Sequence, residues 1–123
     1  MSWRRRANSF RFAFQGLADL LRSQPNARIH LLAVAVVVAA GLYFRMSRTE
    51  WSVLAVGMAL VIALEAMNTA MEYLTDLLSP DFHPLAGKAK DVAAAAVLVA
   101  ALGAAAAGLV IFGPRIWALW FGQ

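Results

Sequence analysis

Residues 51–76 read Trp51-Ser-Val-Leu-Ala-Val-Gly-Met-Ala-Leu-Val-Ile-Ala-Leu-Glu65-Ala-Met-Asn68-Thr-Ala-Met-Glu72-Tyr-Leu-Thr-Asp76. Fourteen residues pass without a charge, then carboxylates enter at helical spacing. About 20 mostly apolar residues cross a bilayer, so a span that starts at Trp51 ends near Met71. At 100° per residue, Glu65, Asn68, Glu72 and Asp76 fall within an arc of about 80°. The rise is about 10 Å from Glu65 to Glu72 and about 16 Å to Asp76. Glu65 is therefore expected inside one leaflet, Glu72 at the interface and Asp76 in water. A carboxylate inside lipid costs ~3 kcal/mol or more and points to function. An interhelical polar contact explains one such residue; it does not explain three carboxylates on one stripe.

Two further apolar runs have spanning length, and the whole reads as an all-α membrane protein: a surface helix over 1–24, spans over 27–46, 51–78 and 91–112, a loop over 79–90 and a tail over 113–123. Of the 123 residues, 62% are hydrophobic and 15% charged, an excess that a soluble domain this small has too little polar surface to cover. The third run is rich in alanine and glycine, as in helices that pack closely in lipid. There is no cysteine, which excludes disulfides and thiolate metal sites. The net charge of +4 flanks the apolar runs instead of forming a separate patch, so no nucleic-acid partner is expected.

Arg4, Arg5, Arg6, Arg11, Arg22, Arg28, Lys88 and Lys90 lie on one side of this topology, and Arg45, Arg48 and Arg115 on the other. The positive-inside rule makes the N-terminus and the 79–90 loop cytoplasmic. No apolar stretch with a cleavage site follows the basic N-terminus directly, so insertion is expected to rely on the first span. Trp3, Phe10, Phe14, Leu17 and Leu21 share a face between the arginines, which suits an amphipathic helix lying on the membrane. Pro25 ends that helix and biases Gln24 away from the helical region.

The 79–90 loop returns to the side where Glu72 and Asp76 emerge. Lys90 can hold phosphate oxygens as a point charge. Asp91, expected at the start of the third helix, also suits a helix N-terminus for capping alone. Gly87-Lys88 is no P-loop, since Phe82 and Ala89 stand where Gly and Ser/Thr are required.

The pattern Glu65-Ala-Met-Asn68-Thr69-Ala70-Met-Glu72 with Asp76, followed by His83-Pro84-Leu85-Ala86-Gly87-Lys88-Ala89-Lys90-Asp91, resembles the prokaryotic diacylglycerol kinase/undecaprenol kinase family. Ser9-Phe10, Ala13, Gly16 and Arg28-Ile29-His30-Leu31 also match. The Arg28–His30 signature, Ser47 to Trp51 and the His83-Pro84 pair resemble the undecaprenol kinase branch. The resemblance implies a homotrimer with active sites shared between subunits in the bacterial cytoplasmic membrane, with ATP and Mg²⁺ as donor and a lipid alcohol as acceptor. It implies Glu65 as general base, Asn68 positioning the acceptor, and Glu72 on the metal. Asp76, Lys90 and Asp91 would arrange the nucleotide, with Asp81 and His83 nearby. The family usually has a metal-binding Glu where this chain has Gln24, which keeps an oxygen ligand and drops the charge; Asp19 or water is the compensation expected.

Two other functions compete. A small proton-coupled exporter also uses one intramembrane Glu, but in the first of four spans, and here the first of three spans holds no acidic residue. A structural oligomer with lost catalysis is the other, if Gln24 signals that loss.

Overall fold

Proline and capping residues set the helix boundaries. The computed structural model describes residues 2–122, which form α1 (Trp3–Ser23), α2 (Pro25–Tyr43), α3 (Arg48–Leu78) and α4 (Pro84–Phe121). No strand occurs among the described residues. Between α1 and α2 only Gln24 is extended, at φ −114° and ψ 109°, as a residue before proline prefers. Pro25 then opens α2, where its missing N–H leaves nothing unpaired. Ser47 opens α3 with a capping box: its hydroxyl accepts from the Glu50 N–H, and its own N–H donates to Glu50, both at 3.2 Å.

Three expected boundaries shift. The loop after α3 spans 79–83 instead of 79–90, because Pro84 occupies the first turn of α4 and His83 Nδ1 accepts the Leu85 N–H at 3.1 Å. Polarity in 84–90 marks a helical turn beyond the apolar region, not a break in the helix. Asp91 consequently lies well inside α4, and helix capping does not explain it. The first apolar helix starts at Pro25 and stops at Tyr43, short of the 27–46 expectation. There the chain turns through Arg45, whose φ is +52°. The expected outer tail is helical, and α4 runs through Pro114 to Phe121. Beside that proline the Arg115 guanidinium donates to the Ile111 carbonyl at 2.7 Å.

α3 and α4 pair along their length, α2 lies against α3, and α1 touches both α2 and α3. An ion pair closes each end of the α3–α4 pair. Arg115 grips both carboxylate oxygens of Glu50, at 2.6 and 2.9 Å, and Lys90 pairs with Asp76. At ~1.5 Å per residue the two pairs stand about 38 Å apart, wider than the ~30 Å hydrocarbon layer. Three helices are long and apolar enough to cross it. Val36, Val56, Val99, Leu109 and Val110 face outward, each 60% exposed or more, and lipid or other chains cover such a surface at low cost. The protein is a membrane protein.

Near the α2–α3 turn, Met46, Leu54, Ile111 and Phe112 form a buried cluster. Gly41 is required there, since a Cβ would lie 2.5 Å from Met46 Cε and 2.6 Å from the Trp51 indole. The methionine can yield, but the ring, held by its own packing, cannot. Gly41→Val should therefore cost about 1–3 kcal/mol, read as a lower thermal midpoint in detergent. An unchanged midpoint would show that the turn has slack.

Candidate active site

The polar face of α3 descends into the protein. Glu65 is 2% exposed, Thr69 is 4% exposed, Asn68 and Glu72 are half-buried, and Asp76 is exposed. Along α3 these side chains thus pass from buried to exposed. Asn68 Nδ2 donates to Glu72 Oε1 at a long 3.5 Å. The Oδ1 of Asn68 and the hydroxyl of Thr69 are buried with no hydrogen-bond partner among the described residues. Buried polar atoms are normally satisfied, so an unpaired acceptor beside a buried carboxylate suits a ligand hydroxyl.

A cavity of about 300 Å³ opens on this face, lined by Asn26, Ile29 and His30 of α2, Glu65 and Asn68 of α3, and Ala94, Val97, Leu98 and Ala101 of α4. His30 Nε2 stands 3.7 Å from Glu65 Oε2. Sequence reasoning had His30 within a matching signature but gave it no role, because its contact crosses between helices and has no period to reveal it. His30 and Ala101 also line a second groove of about 220 Å³ that continues between α2, α3 and α4. Its other walls are apolar, among them Val34, Val37, Leu54 and Met58.

Toward the α3–α4 turn, Lys90 and Asp76 come together as expected. Asp81, His83 and Asp91 are exposed, and no bond joins their side chains to that pair. His83 has its Nδ1 engaged as the α4 cap, which leaves Nε2 for any other partner. Gln24 sits at the α1–α2 hinge with its backbone N–H on the Leu20 carbonyl. Asp19 does not approach as a free carboxylate. Its Oδ2 accepts the Tyr73 hydroxyl at 2.7 Å, and Ser23 Oγ lies 3.2 Å from the same hydroxyl. These bonds tie the end of α1 to α3 at the residue after Glu72, so the hinge carrying Gln24 is held near Glu72's level.

Among the described residues, no three His, Cys, Asp or Glu side chains converge as a metal cage. Glu72 has lone pairs to spare beyond its long contact with Asn68. Mg²⁺ commonly binds one or two carboxylates with water and substrate phosphates. The donors present fit an ion that arrives with a nucleotide.

Residues 11–112 match the prokaryotic diacylglycerol kinase family. The chain belongs to that family. It is 36% identical to an undecaprenol kinase of Bacillus subtilis over 108 residues, 88% of each chain. It is 38% identical to a diacylglycerol kinase of Synechocystis over 112 residues, 90% of this chain and 64% of that longer one. Against the Escherichia coli diacylglycerol kinase the identity is 28% over 89 residues, 72% of this chain and 73% of that one. The chain is thus a membrane lipid kinase, which phosphorylates a lipid alcohol; the exporter and structural-oligomer readings find no support. Family membership gives the buried carboxylate on α3 a reaction to serve.

Proposed function

We propose that this kinase transfers the γ-phosphoryl group of ATP to the hydroxyl of a membrane lipid at the cytoplasmic face, with undecaprenol as the favoured acceptor and diacylglycerol second. The observation that carries the proposal is Glu65, a carboxylate 2% exposed within a membrane helix, in a cavity continuous at His30 with an apolar groove. A hydroxyl brought beside Glu65 leaves its hydrocarbon chain to run along that groove. A single apolar channel with His30 as its polar lining suits a one-chain alcohol better than a lipid with two ester-linked chains. Overlap with the undecaprenol kinase at 88% of both chains supports the same preference.

In this reading Glu65 takes the hydroxyl proton and Asn68, through its unpaired Oδ1, positions the acceptor. Phosphoryl transfer asks mainly for alignment and neutralisation of charge. Mg²⁺ delivered with ATP would neutralise phosphate charge, held by Glu72 with Gln24. Lys90, released from Asp76 or shared with it, meets the phosphates, with Asp91, Asp81 and His83 flanking the nucleotide. The chain lies in the bacterial cytoplasmic membrane with its N-terminus inside, and α1 rests on that surface with Trp3, Phe10 and Phe14 turned to lipid. A homotrimer with shared sites would bring a neighbour's groups to a face that one chain leaves open.

Purified protein in detergent with radiolabelled ATP, offered the two lipids side by side, tests the assignment. A higher kcat/KM on undecaprenol is expected, and a preference for diacylglycerol overturns the acceptor order. Gln24→Glu restores the charge that the family usually carries. The Mg²⁺ concentration for half-maximal rate should fall by roughly tenfold, the scale on which groups around a metal tune its affinity. An unchanged Mg²⁺ dependence removes position 24 from the metal site.

A further inference from the structure

We infer that His30 takes the proton from Glu65 after phosphoryl transfer and passes it to water, resetting the base for the next turnover. The inference rests on the kinase reading above. Each transfer breaks the acceptor's O–H bond. Its oxygen bonds to the γ-phosphorus, the bond from that phosphorus to the ADP oxygen breaks, and the proton goes to Glu65. A carboxyl side chain 3% exposed has poor access to solvent, so without an acceptor it stays protonated and the next turnover stalls.

Among the residues that line the cavity, Glu65 and His30 are the two that bind and release protons. Asn26, Ile29, Asn68, Ala94, Val97, Leu98 and Ala101 complete its wall, and none of them titrates. His30 Nε2 faces Glu65 Oε2 at 3.7 Å, and its side chain is 23% exposed. Of the two, the histidine is the less buried. The gap exceeds a hydrogen bond, but catalytic contacts often tighten when substrate fills the site. Transfer from Glu65 Oε2 to His30 Nε2 leaves a carboxylate beside an imidazolium, and release from the ring to water restores both groups.

The test compares wild type, Glu65→Ala, His30→Gln and His30→Ala, as full chains in detergent with radiolabelled ATP and undecaprenol. Glutamine keeps a hydrogen-bonding group but cannot carry the proton. His30→Gln should lose roughly 100-fold in kcat, the low end of the scale of positioned proton transfer, with little change in KM for ATP or lipid. Added imidazole should restore part of the rate to His30→Ala and none to Glu65→Ala. Wild-type kcat in His30→Gln overturns the relay, as does a rate loss in His30→Ala that imidazole leaves untouched. If neither His30 variant folds, the solvent isotope effect of wild type decides: an effect larger over many turnovers than in the first supports a proton step after transfer, and equal effects overturn the relay. Should wild type label no lipid, or Glu65→Ala keep full activity, the kinase reading falls and the relay with it. An active wild type and a dead Glu65→Ala beside an unimpaired His30→Gln reject the relay alone.

Discussion

Glu65→Gln is expected to lower kcat on undecaprenol by roughly 10²- to 10⁴-fold, the contribution of a positioned general base. Glutamine matches the carboxylate in size and keeps an oxygen, so the tight packing at Glu65 survives and the loss reports chemistry. KM for ATP should hardly move, because the proposed nucleotide site lies toward Asp76 and Lys90, about 16 Å along α3. The fold itself should gain. A buried carboxylate is costly within a membrane, and an amide in its place removes that cost, so the thermal midpoint of Glu65→Gln should equal or exceed that of wild type. Lost activity with retained stability marks a residue kept for catalysis. Lost activity with a fallen midpoint would instead make Glu65 a packing residue.

Glu72→Gln is the second large effect. Its carboxylate is half-buried and, among the described residues, tied only by the 3.5 Å contact from Asn68 Nδ2, so little of the fold depends on its charge. Glutamine keeps one oxygen ligand and removes the charge that offsets a divalent ion. With Gln24 already neutral, the proposed site would then keep no charge of its own for Mg²⁺. The expected loss in kcat/KM for ATP is roughly 10²-fold, the scale on which one preorganised electrostatic contact acts. Excess Mg²⁺ should recover part of it. Adding Gln24→Glu to Glu72→Gln should also recover activity, since it returns one charge to the same ion. A Glu72→Gln enzyme with an unaltered Mg²⁺ dependence would move the metal elsewhere.

Much of this architecture is legible in the sequence because lipid imposes simple rules. Apolar length fixes the three spans, Pro25 marks the hinge, and helical periodicity groups Glu65, Asn68, Glu72 and Asp76. The errors arise where polarity was taken for irregular structure. Residues 84–90 carry Lys88 and Lys90, yet Pro84 and the His83 cap start α4 there. Residues 113–123 were expected as a tail, but α4 passes through Pro114 to Phe121. The His30–Glu65 approach and the Asp19–Tyr73 bond stayed hidden because each joins different helices. Such contacts depend on how helices pack, and the repeat along one helix carries no trace of them. Lys90 with Asp76 was within reach of sequence because both flank one short connection.

The central claim is that the buried end of the α3 polar face phosphorylates a lipid hydroxyl. Its most direct measurement is the transfer of label from γ-radiolabelled ATP to undecaprenol by purified wild-type protein, with the lipid phase extracted and resolved. Labelled lipid phosphate is expected to accumulate with time, to require Mg²⁺ and to fall to background in Glu65→Gln. A lipid phase without label in wild type, or label undiminished in Glu65→Gln, would contradict it.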